Sequence, residues 1–230
     1  MHIYYIIPRI LQTLIWIPTR VGLHLFARIK IKGKENIAHI RGGVVFVSNH
    51  ASEADPILIP ATLSPISRLF PIFYVSRTKK YYGHTGAIKS HIYGGRFFNF
   101  WGAYPAREGM RDYGKSLQYH LNILKKGHSV QIFPEGKKSP DGTIQDHAHG
   151  GAIYLAWRAN VPIVPVAIKG TFQTNLFKFF LFEKKYAINY GKPIYPDELI
   201  GKKADSSGVV DFKNATWRVM DEVEKLYDEL

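Results

Sequence analysis

Val44-Val45-Phe46-Val47-Ser48-Asn49-His50-Ala51-Ser52-Glu53-Ala54-Asp55-Pro56 changes character twice within thirteen residues. Residues 44–48 form a short β-rich run, the pattern of a buried strand. That strand ends at Asn49-His50. Asp55-Pro56 then reads as a helix start, with Asp55 as cap and Pro56 at the first helical position. Pro60, one turn later, makes that helix short or kinked. Strand, polar loop and helix together make the first half of a βαβ unit.

The same alternation runs outward from this stretch. Ile72–Ser76 and residues 103–106, 129–133, 161–168 and 186–190 read as strands. Residues 112–126 have helical spacing through Leu117, His120, Leu121 and Leu124, with Gly127 where a C-cap glycine stands. Residues 148–160 read as a helix, and residues 83–100 as a loop or broken helix. An amphipathic helix closes the chain, apolar at Phe212, Val219, Met220, Val223, Leu226 and Tyr227. Strands alternating with helices imply βαβ units. The expected fold is α/β: a single domain with a largely parallel mixed sheet flanked by helices, preceded by an N-terminal amphipathic helical membrane anchor. Residues 1–30 form that helical segment and 31–230 the folded domain. Ligands in such sheets bind beyond the carboxyl ends of the strands. Residues 49–55 and residues 133–139 each follow a strand directly, so both belong on that rim.

Charge is the outlier of the composition. With 31 Lys and Arg against 18 Asp and Glu, the 230 residues carry +13. Six acids and three bases in the last twenty residues leave the first 210 at +16. Such a field favours nucleic acid, an anionic membrane surface, or an acidic or phosphorylated partner. Absence of cysteine excludes a disulfide scaffold, a thiol nucleophile and a Cys-based zinc site.

Near the N-terminus, ten residues separate Arg9 from Arg20. As helix they reach about 15 Å, half of a hydrocarbon core. Helical spacing gathers Ile10, Leu14, Ile17, Val21 and Leu25 on one side, and Arg9, Gln12, Thr13, Arg20 and His24 largely on another. Such a pattern fits an amphipathic helix pair packed on the domain's own core, or a segment lying in a membrane interface. Trp16, the arginines and the basic balance favour the interface.

His50 and Asp55 are the parts of a general base and its orienter. On a continuous helix, five positions lie about 140° apart, so a direct contact needs a turn between them. Given the contact, the carboxylate fixes the imidazole tautomer and favours the imidazolium. Ser52 is not placed as a nucleophile elbow, so the nucleophile comes with the substrate. Pro134-Glu135-Gly136 makes a tight turn whose N–H groups can face an anion, and Lys137 and Lys138 add positive charge there. A base beside an anion clamp points to a hydroxyl nucleophile on a phosphorylated molecule.

Four blocks occur in order: residues 49–55, then Gly102-Ala103-Tyr104-Pro105-Ala106-Arg107, then Phe133-Pro134-Glu135-Gly136-Lys137-Lys138-Ser139, then Val161-Pro162-Ile163-Val164-Pro165-Val166. In this order they resemble the motifs of the glycerolipid acyltransferases, the family of 1-acylglycerol-3-phosphate acyltransferase. That resemblance implies an acyltransferase domain in which His50 and Asp55 are catalytic and Arg107, Glu135, Gly136, Lys137 and Lys138 hold the acceptor. It implies transfer of a fatty acyl group from acyl-CoA or acyl carrier protein to a lysophospholipid, most often 1-acylglycerol 3-phosphate, on the cytoplasmic face of a membrane. No metal or further cofactor is required by that reaction, and no nucleic acid is a partner. The chain has Lys137-Lys138 where the family usually has Thr-Arg, and lysine lacks the planar fork that grips phosphate bidentately.

Other readings stand beside this one. Glycerol 3-phosphate or another lysolipid is an alternative acceptor. A non-catalytic basic module for membrane or nucleic acid is an alternative class, and the His-x4-Asp spacing argues against it. Oxyanion donors are expected among backbone amides near the helix start after Asp55. His147-Ala148-His149 reads as a helix-start pair rather than a zinc site. Phe172, Phe177, Phe179, Phe180 and Phe182, interleaved with Lys178, Lys184 and Lys185, fit core, a second membrane patch or a stacking surface for nucleic acid; the resemblance favours the first two.

Overall fold

The computed structural model describes residues 3–77, 96–107, 112–200 and 211–230. Its sheet has seven strands in the order β1-β7-β6-β2-β5-β3-β4 among the described residues. These are β1 Lys30–Lys32, β2 Val45–Ser48, β3 Ile72–Ser76, β4 Ala103–Pro105, β5 Ser129–Ile132, β6 Ile163–Lys169 and β7 Ala187–Tyr190. Strands β2 to β6 run parallel. β7 lies antiparallel to β6 and pairs parallel with β1. The expected α/β fold with a largely parallel mixed sheet is the one observed.

The helices are α1 Ile3–Leu25, α2 Asp55–Thr62, α3 Arg96–Phe100, α4 Tyr113–Ser116, α5 Gln118–Lys125, α6 Gly151–Ala159, α7 Leu176–Phe180, α8 Pro196–Ile200 and α9 Phe212–Asp228. Alternate residues of β2 feed two cores. Phe46 packs with Leu23 of α1 and Leu58 and Ile59 of α2 on one face. Val45 and Val47 pack with Leu124 of α5, Leu155 of α6 and Val219 of α9 on the other. Both faces being covered explains why residues 44–47 read as an unbroken apolar run. Burying Phe46 completely contributes about 3 kcal/mol.

This topology creates one crevice. β2 leads through α2 to β3, while β5 leads through α6 to β6 on the opposite side of β2. Adjacent strands whose connections depart over opposite faces leave a gap beyond their carboxyl ends. His50 follows β2 and Glu135 follows β5, so both stand at that gap.

Several elements differ from the sequence expectation. The helix expected over 112–126 breaks at Leu117 into α4 and α5. There Ser116 turns its carbonyl to the Arg107 N–H at 3.2 Å and its hydroxyl to the Arg107 carbonyl at 2.9 Å, tying the break to the end of β4. Gly127 follows the helix at φ 80° as expected of a C-cap glycine. Asp55 is the first residue of α2 with Ala54 at the N-cap, and the Asp55 side chain reaches back into the loop instead of capping its own helix. β1 and α7 were not anticipated. Most of 83–100 lies outside the described residues.

In place of a helix pair the N-terminus is one helix of 23 residues with Pro8 and Pro18 inside it. Its length is about 35 Å, yet no described helix is long and apolar enough to cross a membrane. The Gln12 amide donates to the Ile72 carbonyl at 2.7 Å and the Trp101 carbonyl at 3.0 Å, and accepts from the Ile72 N–H at 3.1 Å. Trp16 donates to the Leu63 carbonyl at 2.7 Å, and Arg20 to the carbonyls of Ala61 and Thr62 at 3.1 and 3.3 Å. The last three carbonyls are the open end of α2, so α1 caps it. Gln12, Trp16 and Arg20 therefore face the protein, while Arg9, Thr13 and His24 are exposed together with Ile10, Leu14, Ile17, Val21 and Leu25, Leu14 to 68%.

Candidate active site

A turn over residues 52–54 brings His50 and Asp55 together, as the spacing required. Nδ1 of His50 lies 2.9 Å from Oδ2 of Asp55. The same oxygen accepts the N–H groups of Ala51 at 2.6 Å and Ser52 at 2.7 Å. Asp55 is 0% exposed, whereas the His50 side chain keeps 18% of its surface open. Three donors on one buried oxygen hold the carboxylate, with no Lys or Arg paired to it among the described residues, and the pair leaves Nε2 of His50 as the other ring nitrogen. On its flank the imidazole stacks against Phe133, with centroids 4.1 Å apart and planes at 19°.

The second block locks the first. Glu135 accepts the His50 N–H at 2.9 Å through Oε1 and the Gln145 side-chain amide at 2.9 Å through Oε2. The Ser139 N–H donates to the His50 carbonyl at 2.7 Å. Both backbone groups of His50 are thus engaged by residues 133–139. Burial pushes the Glu135 carboxyl above its ordinary range, against the bonds from Gln145 and the His50 amide. Glu135 is 1% exposed, so this carboxylate supports the loop from behind.

Gly136 stands at φ 70°, and a Cβ there would sit 3.0 Å from the His149 ring. Its N–H closes the turn onto the Phe133 carbonyl at 3.0 Å, which removes it from the anion-facing amides expected of this turn. Its carbonyl accepts from Nε of Arg77 at 2.6 Å. Lys137 is exposed. Lys138 pairs with Glu53 at 2.5 Å. Burial raises the Glu53 carboxyl, but the hydrogen bond and charge of Lys138 outweigh it and hold the group below its usual value. Arg107 is exposed at the end of β4, three strand spacings from β2, about 14 Å.

Amides near the start of α2 are already spent. Ala54 N–H bonds the Ser52 hydroxyl, Asp55 N–H the Ser52 carbonyl and Ile57 N–H the Ala54 carbonyl. With Pro56 lacking an N–H, this helix start offers no open oxyanion donor through Ile57. His147 and His149 face each other with Nε2 atoms 3.2 Å apart, just before α6 rather than within its first turn. Burial, His147, Arg77 and Lys213 hold the His149 imidazole below its ordinary value.

The sequence profile of the Acyltransferase family matches residues 28–169, which contain the whole of this site. The chain belongs to the Acyltransferase family. It is similar to the chloroplast 1-acyl-sn-glycerol-3-phosphate acyltransferase of Arabidopsis thaliana, with 29% identity over 152 residues covering 66% of this chain and 38% of that one. The corresponding Brassica napus enzyme is 28% identical over 193 residues, 80% of this chain and 49% of that one. The 1-acyl-sn-glycerol-3-phosphate acyltransferase of Saccharomyces cerevisiae is 26% identical over 219 residues, covering 87% and 66%. This chain therefore spans less than half the length of the two plant relatives. A crystal structure of the LPA acyltransferase of Thermotoga maritima superposes with a TM-score of 0.57 at 23% identity, covering 90% of this chain and 76% of that one. It shares the fold.

Arg77 and Gln145 lie outside the blocks read from the sequence, and Asn49 and Phe133 stand within them without an assigned role. Arg77 follows β3 on the same rim, so the rule that placed His50 was sufficient to find it. Asn49 stitches the end of β2 to β6 with two 2.8 Å bonds to the Ile168 backbone. Gln145 and Phe133 act through Glu135 and the His50 ring respectively, contacts that spacing alone does not encode.

Proposed function

We propose that the chain transfers a fatty acyl group from acyl-CoA or acyl carrier protein to the free hydroxyl of a lysophospholipid, with 1-acylglycerol 3-phosphate the foremost acceptor and phosphatidic acid the product. The observation that carries this reading is the His50–Asp55 contact at the sheet's crevice in a member of the Acyltransferase family. The acceptor follows the activities for which the relatives are named.

In this mechanism Nε2 of His50 takes the hydroxyl proton as the oxygen attacks the thioester carbonyl. Asp55 stabilises the imidazolium from Nδ1. As the tetrahedral intermediate collapses, the C–S bond breaks and the leaving thiolate receives that proton from Nε2. The step uses no metal. Arg107, Lys137 and Lys138 bind the acceptor phosphate. Gly136 keeps its turn tight, and Glu135 contributes to the acceptor site by fixing the loop that carries His50.

Residues 1–30 serve as a membrane-lying segment, and 31–230 as the acyltransferase domain, at the cytoplasmic face of a membrane. Support comes from the outward apolar stripe of α1 beside inward-bonded Gln12, Trp16 and Arg20. Moving five half-exposed aliphatic side chains into lipid contributes on the order of 5 kcal/mol.

The test is incubation of purified protein with labelled acyl-CoA or acyl carrier protein and, in parallel, lysophosphatidic acid, glycerol 3-phosphate and lysophosphatidylcholine. Separation of the lipids should reveal labelled phosphatidic acid with wild type and none with His50→Ala. Near-wild-type turnover in a folded His50→Ala protein refutes the mechanism; product from glycerol 3-phosphate alone refutes the acceptor.

A further inference from the structure

We infer that α7 and the residues after it form a second lipid-contacting element, which seats the catalytic rim on an anionic bilayer. This rests on reading α1 as a membrane-lying helix. Within residues 177–182, Phe177, Phe180, Leu181 and Phe182 are all exposed, Phe177 to 72%. Phe179 turns inward against Tyr186, with ring centroids 6.1 Å apart. A soluble surface rarely gathers that much apolar area without an occupant.

The patch is continuous with the outward stripe of α1. Phe26, just past the end of α1, meets Phe179 at 5.6 Å, Phe180 at 5.0 Å and Phe182 at 5.2 Å. Val21 and Leu25, the last members of the stripe, are exposed beside it in sequence. Cations adjoin these segments in the chain: Arg28, Lys30 and Lys185 are exposed and Lys178 is half-exposed, with Glu183 the one acid among residues 176–185. Exposed apolar side chains and adjoining cations complement an anionic bilayer. A two-fold contact between copies would instead set these cations against each other.

The patch also connects to the chemistry. It follows β6 on the rim where His50 stands. In the same connection Phe172 lies against Gly142, where a Cβ would approach its ring to 2.7 Å. Gly142 N–H bonds the Ser139 hydroxyl, and Ser139 N–H bonds the His50 carbonyl. Lipid contact at α7 therefore orients the crevice towards the surface where a lysolipid resides.

Because the chain has no cysteine, single cysteines can carry an environment-sensitive fluorophore. Phe177→Cys, Ile17→Cys and, as an exposed control on α9, Glu224→Cys would be labelled in the full chain and mixed with phosphatidylglycerol–phosphatidylcholine vesicles. Emission at positions 177 and 17 should shift to the blue, and emission at 224 should not. A shift at 17 with none at 177 overturns this inference and leaves the α1 reading standing. No shift at either overturns both. A shift at 177 that needs no vesicles and grows with protein concentration assigns the patch to a second copy and overturns the inference. In unlabelled protein, Phe177→Ser and Phe180→Ser should each weaken vesicle partitioning roughly tenfold. Activity on a water-soluble short-chain acceptor should remain unchanged, and a fall in it equal to that on vesicles would assign the rings a structural role instead.

Discussion

Replacing Asp55 by Asn separates the carboxylate's structural work from its electrostatic work. Oδ2 accepts three donors: the His50 ring at 2.9 Å and the amides of Ala51 and Ser52 at 2.6 and 2.7 Å. An asparagine must place its carbonyl oxygen there to keep them, which puts its NH2 where Oδ1 now sits, buried without a hydrogen-bond partner. Leaving that donor unsatisfied costs about 1–3 kcal/mol, and three charge-assisted bonds fall to neutral strength. A stability loss of about 3 kcal/mol follows, which in a chain of this size lowers Tm by roughly 6–12 °C. Catalysis should suffer more. Without the negative partner the imidazolium formed on proton transfer loses its stabilisation, and kcat should fall about 10³-fold, equivalent to about 4 kcal/mol of barrier. The acceptor KM should change little, because the lost interaction belongs to the transition state. Thermal melts followed by circular dichroism, with steady-state rates taken well below Tm, measure both quantities. A kcat within threefold of wild type, with Tm lowered as expected, refutes the catalytic role and leaves Asp55 a loop scaffold. An unchanged Tm with a collapsed kcat refutes the account of the buried oxygen.

The Lys138–Glu53 pair gives two substitutions opposite effects: Lys138→Ala should raise acceptor KM several-fold, while Glu53→Gln frees the ammonium and should lower KM up to about fivefold, the range of an exposed ion pair. Equal KM in both variants would remove Lys138 from the acceptor site. Glu135→Gln keeps an oxygen for the His50 amide but turns an NH2 towards the donating Gln145 amide, which also binds the Lys137 carbonyl; Tm should drop by about 3–6 °C for a loss of about 1–2 kcal/mol, and an unchanged melt would refute the clamp. Burial pushes the His120 imidazole down to about 4 despite its bonds to the Tyr74 and Tyr104 carbonyls. The unfolded chain takes up that proton at higher pH than the folded one, so stability is full above about 6.5 and falls towards pH 4 by about 3 kcal/mol. Melts of His120→Gln across that window should lack this component, and parallel pH profiles for the two proteins would refute it.

What the sequence could reveal tracks where the physics is local. β2 and β6 were legible because strands buried on both faces are largely apolar. Gly127 was legible because a left-handed residue after a helix favours glycine. Position on the rim was legible too, since a residue directly after a parallel strand has nowhere else to be, and His50, Glu135 and Arg107 all follow strands. β1 was hidden: Lys30-Ile31-Lys32 is an edge strand of three residues, too short to carry a period. The orientation of α1 was hidden for a deeper reason. Periodicity reports which side chains share a face, but not which face turns inward, and Gln12, Trp16 and Arg20 turn inward because open carbonyls at Ile72, Trp101 and the end of α2 await donors. Those carbonyls belong to segments about forty to ninety residues away in the chain, so no window around α1 contains them. The same holds inside the site. Glu135 reads in sequence as part of an anion clamp, yet its oxygens are occupied by the His50 amide, 85 residues earlier, and by Gln145. The second block therefore acts first on the base itself, by holding the loop from which His50 projects. A charge at its tip, Lys138, reaches back to Glu53 on that same loop. Base and clamp are one assembled unit, and substitutions in residues 133–139 should disturb kcat through His50 as well as KM through the acceptor.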